Sequence, residues 1–335
     1  MADGPLEDAP LLVSMTVTEL FLAATGRNER LADFAAVVAE AADGIELFVE
    51  PTEAYMSSTQ AAVGYAASFG LPIRTIHTPP LGVHEQGLDG NWNVEWNTHL
   101  KEILLNYEQD GTRPAADQSY PGQPEINRVP KMEPAVATTH PPRFPTDSET
   151  RLAEARRDLV ETFRATIEHI RSDRFLEVPL DLPTIAVENV CPRPGFDYLL
   201  TSPAGVDQLR AVAASQGEAD LLAFTGDVGH TATPTAMLEA METPANIHLH
   251  GVSDASPDAI VDRLPGDVSA SALTTEPGAG TVQHLPPNAF PDRTESALNW
   301  LANTEHRCPL TIELQRPCKT PAIARELFEW FEAVR

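Results

Sequence analysis

Cysteine and lysine are both scarce in this sequence, and long hydrophobic runs are absent. The three cysteines form no CxxC or zinc-ribbon spacing, and their odd number argues against a disulfide framework. No run approaches the roughly 18 to 20 apolar residues that would span a bilayer. The first residues also lack the basic region of a signal peptide. We therefore expect a protein of the cytoplasm that has no membrane partner.

The charge is strongly one-sided. The 335 residues include 49 acidic residues against 23 basic ones, for a formal net charge of −26, and only three of the basic residues are lysines. An acidic tail or a cation-binding surface would explain this balance, and so would adaptation to a salty solvent. Because the acids are spread along the chain, we favour a halophilic organism. No basic stripe is visible, which argues against a nucleic-acid partner.

Apolar segments alternate with amphipathic segments along most of the chain. Residues 185–187 are continuously apolar, which is typical of a strand covered on both faces in a parallel sheet. Eight such strands are predicted, within residues 11–17, 43–51, 71–80, 133–142, 183–189, 219–230, 245–251 and 308–315. This order predicts an α/β protein of the (β/α)8 TIM-barrel class, as a single domain over 1–335 with the barrel from about residue 11. Residues 109–133, rich in Pro, Gly, Asp and Gln, are predicted to be an inserted loop.

Six of the predicted strands end in a histidine or a carboxylate. The six residues are His77, His140, Glu188, Asp227, His248 and Glu313. In (β/α)8 barrels the active site lies at the carboxyl ends of the strands, so these side chains are expected to meet. Imidazole nitrogen and carboxylate oxygen together suit a divalent metal such as Mn, Zn, Co or Mg. Such a cation would also offset the cost of burying Glu188.

Short motifs around these positions resemble those of the xylose isomerase-like TIM-barrel superfamily. That group includes sugar isomerases, sugar epimerases and endonuclease IV. The resemblance covers residues from about 12 to 315. The motifs are "AVEN" with Glu188, "DVGH" with Asp227 and His230, "IHLHG" with His248, "QHLPP" with His284, and "TIEL" with Glu313.

The resemblance implies one metal and an acid/base pair. The implied metal ligands are Glu188, Asp227, His248 and Glu313. In the epimerase branch the two glutamates also exchange protons with opposite faces of a ketose, and His230 would hold a substrate oxygen. Proton transfer next to a carbonyl needs this pairing of a base, a donor and a Lewis acid. We therefore predict a metal-dependent sugar isomerase or epimerase with a carbohydrate substrate, and members of such families often pair as homo-oligomers.

The endonuclease IV branch implies additional metals and a second hypothesis. The ligands to its second and third metals would correspond to His77, His140 and Glu188, and to His230 and His284 with an aspartate. At the position of that aspartate this chain has Val282, so the third site would lose its only anionic ligand. The loops also differ from the glycine-rich turns with which that branch contacts DNA. A metal-dependent phosphodiesterase is therefore the second hypothesis, and a non-catalytic sugar-binding barrel is the third.

Several other polar residues are predicted near the mouth of the barrel. His250, two residues after His248, shares its strand face and is predicted to contact substrate. Arg193 follows the Glu188 strand, and Arg316 and Lys319 follow the Glu313 strand. All three are expected toward the mouth, where they would either bind a phosphate or carboxylate of the substrate or remain solvated. Two roles stay open for His77, His140 and His284: they would either bind a second metal or contact the substrate.

Overall fold

Eight parallel strands close into a barrel in the computed structural model of the chain. The structure describes residues 6, 8–49, 56–78, 136–141, 143–145, 149–171, 183–276 and 280–334. The predicted inserted loop, 109–133, lies outside these residues.

The strands of the described residues are numbered in chain order. They are β1 (Leu11–Thr16), β2 (Gly44–Phe48), β3 (Ile73–His77), β4 (Val136–Thr139), β5 (Arg143–Pro145), β6 (Thr184–Glu188), β7 (Phe196–Tyr198), β8 (Ala223–Asp227), β9 (Asn246–Leu249), β10 (Gly251–Ser253), β11 (Val282–Leu285) and β12 (Leu310–Ile312). The barrel follows the chain through β1, β2, β3, β4, β6, β8, β9 and β12, and β12 pairs with β1 to close it. All eight barrel strands fall within the segments predicted for them, so the predicted (β/α)8 architecture is confirmed.

Helices follow most of the barrel strands and cover the outside of the barrel. They are α1 (Val17–Ala24), α2 (Glu29–Ala41), α3 (Met56–Ser68), α4 (Glu149–Arg171), α5 (Pro203–Ser215), α6 (Pro234–Met241), α7 (Pro257–Val261), α8 (Asp292–Ala302) and α9 (Pro321–Val334). Several helices begin with an N-cap. Thr16 and Glu19 form a capping box on α1, and the side chains of Asn28 and Ser202 accept hydrogen bonds from backbone N–H groups at the starts of α2 and α5. No helix among the described residues is both long and apolar enough to cross a membrane.

The interior of the barrel is polar as well as apolar. Thr138 and Thr225 hydrogen-bond to each other across it at 2.9 Å, and Thr311 donates to Asn246 Oδ1 at 3.1 Å. These side chains are fully buried, so their polar groups need partners inside the protein. This hydrogen-bonded layer supports the side chains that project from the carboxyl ends of the strands.

A small two-stranded antiparallel sheet lies outside the barrel and carries His284. Strands β10 and β11 are antiparallel, with Gly251 opposite Leu285. His284 has a φ of 53°, a left-handed conformation that is uncommon for residues other than glycine. The pairing of β11 with β10 returns the chain to the end of β9, and this places His284 beside His250.

Candidate metal centre

Glu188 is the centre of the site. It ends β6, its side chain is buried, and its two carboxylate oxygens face different histidines. Oε2 lies 2.9 Å from Nε2 of both His77 and His140, whereas Oε1 lies 3.2 Å from Nδ1 of His248. A carboxylate with this arrangement can bridge two neighbouring metal positions.

The four residues that the resemblance implied as metal ligands are brought together. One ligand atom from each of Glu188, Asp227, His248 and Glu313 lies within 4.8 Å of the others. The Nδ1 atom of His248 is 3.4 Å from Glu313 Oε1 and 4.0 Å from Asp227 Oδ2. Three carboxylates and one imidazole on four different strand ends form this group, which we call the carboxylate group.

A second group shares Glu188 with the first. It contains His77, His140 and Glu188, and its ligand atoms also lie within 4.8 Å of one another. The His77 side chain is buried, whereas the His140 side chain is 26% exposed. The arrangement offers two imidazoles and one carboxylate oxygen, which suits a second divalent ion.

A third group consists only of imidazoles. His230, His250 and His284 have ligand atoms within 4.8 Å of one another, and we call them the histidine group. The rings of His250 and His284 stack at 4.1 Å, and the His230 ring is 5.5 Å from that of His250. The sequence predicted His250 only as a substrate contact, so its membership of this group was not anticipated.

Two buried atoms of the site lack hydrogen-bond partners. Among the described residues, neither Asp227 Oδ2 nor His250 Nε2 makes a hydrogen bond. His250 Nε2 lies 3.1 Å from Asp227 Oδ1, so these two buried side chains form a close pair. A buried carboxylate oxygen without a partner is costly, and a bound cation removes that cost. The residues of the carboxylate group therefore fit a divalent metal ion.

The charges of the site oppose the effect of burial. Burial acts to raise the pKa of Glu188, but the attraction of His248 and His140 and their hydrogen bonds hold that pKa well below its usual range. Burial acts to lower the pKa of His248, but attraction to Glu313, Glu46 and Glu188 raises it well above its usual value. The raised pKa favours the protonated form of His248 when no metal is bound, and that proton must be released before Nδ1 becomes a ligand.

A fourth carboxylate, Glu46, lies beneath His248. Its Oε2 atom is 3.3 Å from His248 Nε2 and accepts hydrogen bonds from Thr75 Oγ1 at 3.1 Å and Asn246 Nδ2 at 3.0 Å. A carboxylate on the far nitrogen of a histidine directs the opposite nitrogen towards a metal. Sequence reasoning missed Glu46, although a lone acid within the apolar run "GIELF" is the signal that could have revealed it.

The loop after β8 is held in place by Asn189. The Asn189 side chain donates to Asp227 O and accepts from Asp227 N, both at 2.8 Å. The His230 amide donates to Asp227 Oδ1 at 2.8 Å, and His230 Nδ1 lies 3.1 Å from Asn189 O. Asp227 and His230 therefore take up their orientations through a shared hydrogen-bond network.

The basic residues predicted near the mouth have different surroundings. Arg193 is ion-paired with Glu276. Arg316 is exposed and lines a cavity of about 560 Å³ together with His284. Contact of either arginine with substrate stays a prediction. Lys319, which follows the same strand, is buried and donates to Glu19 Oε2 at 2.6 Å, so it supports the fold.

These features define a class: a (β/α)8 barrel with a candidate metal centre at the carboxyl ends of its strands. No family model and no curated protein matches the chain. Among solved structures, a D-tagatose 3-epimerase-like protein is 14% identical, with a TM-score of 0.58 over 97% of this chain and 96% of that one. A xylose isomerase domain protein from Planctomyces limnophilus is 13% identical, with a TM-score of 0.52 over 98% and 96% of the two chains.

An L-ribulose 3-epimerase is 12% identical, with a TM-score of 0.51 over 96% of this chain and 95% of that one. At such identities the likeness shows a shared fold. The resemblance to xylose isomerase-like TIM barrels that the sequence motifs indicated is therefore confirmed at the level of the fold.

Proposed function

We propose that this protein is a metal-dependent sugar isomerase or epimerase. The observation that carries the proposal is the pair of glutamates, Glu188 and Glu313, whose oxygens lie 3.2 and 3.4 Å from His248 Nδ1. In the barrel order their strands, β6 and β12, lie on either side of β9, which carries His248. Similar solved structures include proteins described as ketose 3-epimerases, which supports a carbohydrate substrate.

The carboxylate group would hold the metal through Glu188, Asp227, His248 and Glu313. A divalent ion held there would supply Lewis-acid polarisation of the carbonyl and hydroxyl oxygens of a ketose. Asn189 and Glu46 orient two of these ligands, Asp227 and His248, through the contacts described above. The protein thus supplies an ordered ligand set before any substrate enters.

The two glutamates would carry out the proton transfers. In the proposed reaction, one carboxylate removes the proton from the carbon next to the carbonyl, and the other, as the acid, returns a proton to that carbon from the opposite face. The carbon inverts, and the atoms of the substrate are conserved. His230 and His284, 10% and 32% exposed, lie on the more open side of the site and would contact sugar hydroxyls.

Solvent exchange tests the proposal. Metal-loaded protein in D2O is expected to incorporate deuterium next to the carbonyl of at least one ketose in a panel, as followed by proton NMR. Glu313→Gln should abolish the exchange because it removes one member of the pair. Glu242→Gln is the matched control, because Glu242 is a surface glutamate paired with Arg210. An absence of exchange with every ketose, in protein that carries metal, would contradict the proposal.

A second candidate function is metal-dependent phosphoester hydrolysis. It is favoured by the second group, His77 and His140 with Glu188, because this group and the carboxylate group together could hold two neighbouring divalent ions. Many enzymes that catalyse displacement at phosphorus use two such ions. Hydrolysis of bis(p-nitrophenyl) phosphate that is lost in His140→Ala would favour this candidate over epimerisation. Sugar binding without exchange or hydrolysis would indicate the non-catalytic barrel.

A further inference from the structure

We infer that a cavity beside His284 binds the anionic end of the substrate, so that the substrate is a sugar with a phosphate or carboxylate group. The cavity has a volume of about 560 Å³, and the residues that line it include Arg30, Gln283, His284 and Arg316. The inference rests on the proposed function, because it names the substrate class of that same site.

The cavity adjoins the proposed catalytic machinery. His284 lines the cavity, and its Nδ1 atom lies 3.3 Å from Glu313 Oε2. The volume falls within the range of roughly 300 to 1,000 Å³ that is typical of small-molecule sites. A substrate whose reacting carbon lies near Glu313 can therefore extend past His284 into the cavity.

Two arginines supply positive charge to the cavity. Arg30 lies in the first turn of α2, and Arg316 follows β12. Burial raises the pKa of the Cys318 thiol to about 12, and the charge of the neighbouring Arg30 opposes that rise, so Arg30 reaches the chain that follows β12. Within the part of the chain that the structure describes, neither arginine forms an ion pair, whereas Arg193 and Arg210 are each paired with a glutamate.

The balance of charge in the cavity favours an anionic ligand. Acidic residues outnumber basic ones in the chain, 49 to 23. Of the described residues, the acids that line the cavity are Asp267 and Glu276, and Glu276 is neutralised by Arg193. The cavity is therefore more positive than the protein as a whole, and this difference would attract an anion to it. Guanidinium groups bind phosphate and carboxylate through paired N–H donors.

Gln283 offers a group for a sugar hydroxyl. Its side chain is 3% exposed, and its Nε2 atom lies 3.3 Å from Cys191 Sγ. The Oε1 atom has no hydrogen-bond partner among the described residues. A buried amide oxygen without a partner is costly, and a hydroxyl of a ligand in the cavity would satisfy it. If the amide is turned over, the free group is the NH2, which the oxygen of the same hydroxyl can accept from.

Hydrogen bonds hold the walls of the cavity before any ligand enters. Gln315 Nε2 donates to Thr274 O at 2.8 Å and to Gln283 O at 2.7 Å, and Gln315 Oε1 accepts from Thr274 N at 2.8 Å. The ion pair of Arg193 with Glu276 joins the same wall to the chain that follows β6. Binding therefore requires little ordering of these segments, and this favours affinity.

Calorimetric titration of the full, metal-loaded chain tests the inference. A panel of 2-ketohexoses is titrated in three forms, which are the neutral sugar, its 6-phosphate and its 6-carboxylate. For at least one ketose, an anionic form is expected to bind about tenfold more tightly than the neutral form, because hydrogen bonds to charged groups are the stronger ones. The anionic form with the larger gain identifies the group that the cavity takes.

Two variants assign that gain to the cavity. Arg30→Met and Arg316→Met each remove one charge, and both side chains are exposed, so the variants should fold. Each should reduce the preference for the anionic form about tenfold. Arg27→Met is the matched control, because Arg27 is also exposed and close to α2, but it lies over the Phe21 ring and does not line the cavity. This variant should keep the wild-type preference.

Two outcomes would overturn the inference. One is equal affinity for the neutral and anionic forms of every ketose, including the case in which deuterium exchange with a neutral ketose supports the proposed function. The other is a preference for the anion that persists in both arginine variants, because the anion would then bind at the metal centre. Failure of the proposed function gives a different result: anionic sugars would bind in an arginine-dependent way, and none would exchange deuterium next to its carbonyl.

Discussion

Replacing Glu46 by glutamine tests how the barrel prepares His248 for a metal. The substitution keeps the shape of the side chain and removes its charge. Glu46 Oε2 accepts from Thr75 and Asn246 and lies 3.3 Å from His248 Nε2, whereas Oε1 is buried without a hydrogen-bond partner among the described residues. A glutamine can place its oxygen at the Oε2 position and its NH2 group at the Oε1 position, so we expect the variant to fold.

The expected magnitude follows from the position of Glu46 behind a metal ligand. Loss of such a partner typically lowers metal affinity about 10- to 100-fold. This corresponds to about 1.4 to 2.7 kcal/mol of binding free energy. The attraction of Glu46 also helps to raise the pKa of His248. The variant histidine therefore loses its proton more easily, and this effect partly offsets the lost affinity at low pH.

The assay is competition with a chelating indicator, at neutral pH and at a pH above the raised pKa of His248 in the wild-type protein. The loss of affinity should be larger at the higher pH, where protonation of His248 matters less. Glu19→Gln is the control. This buried carboxylate pairs with Lys319 and belongs to none of the candidate metal groups, so its variant should lose stability and keep wild-type metal affinity. Unchanged affinity of Glu46→Gln at both pH values would refute the reasoning.

Three other predictions follow from the same geometry. Glu188→Gln should lower the metal content of both groups that share Glu188, whereas His140→Ala should remove only one metal per chain. Equal losses in the two variants, measured by elemental analysis, would contradict a bridging carboxylate. Because the pKa of His248 is raised well above 6.5, its stabilising charge in the metal-free protein is fully present below that value and is lost as pH rises through the raised pKa. Metal binding at neutral pH should therefore release about one proton and strengthen about tenfold per pH unit, which calorimetry in buffers of different ionisation enthalpy would detect. Gly229→Ala should cost about 1 to 3 kcal/mol of folding stability because the new methyl group meets the ring of His250. In a protein that already carries His250→Ala, thermal denaturation should show no such cost for Gly229→Ala. Additive losses from the two substitutions would argue against the contact.

The eight barrel strands were predictable because their signal is local. A strand covered on both faces is continuously apolar, as in residues 185–187, and this pattern does not depend on distant residues. The carboxyl end of each strand is equally visible in the sequence. The positions of Glu188 and Asp227 at the ends of β6 and β8 could therefore be predicted, and the parallel barrel order brings such ends together.

Contacts across the barrel had no local signal. Glu46 and His248 are 202 residues apart, and His77 and Glu188 are 111 residues apart, yet both pairs lie in contact. Lys319 follows a ligand-bearing strand and was expected at the mouth, but its side chain turns inward to Glu19. The direction of a side chain depends on how neighbouring elements pack against it, and periodicity along one strand does not contain that information.

The sequence by itself determined the barrel, the strand ends and the kinds of ligand at those ends. Apolar runs and ligand-capable side chains are local features, so they can be identified without knowing which distant residues they contact. Only the tertiary structure decided which side chains share a site. Barrel closure gave Glu188 two sets of neighbours, and the pairing of β10 with β11 brought His284 to His250. These groupings come from pairing and packing over long sequence separations, which the tertiary structure alone establishes.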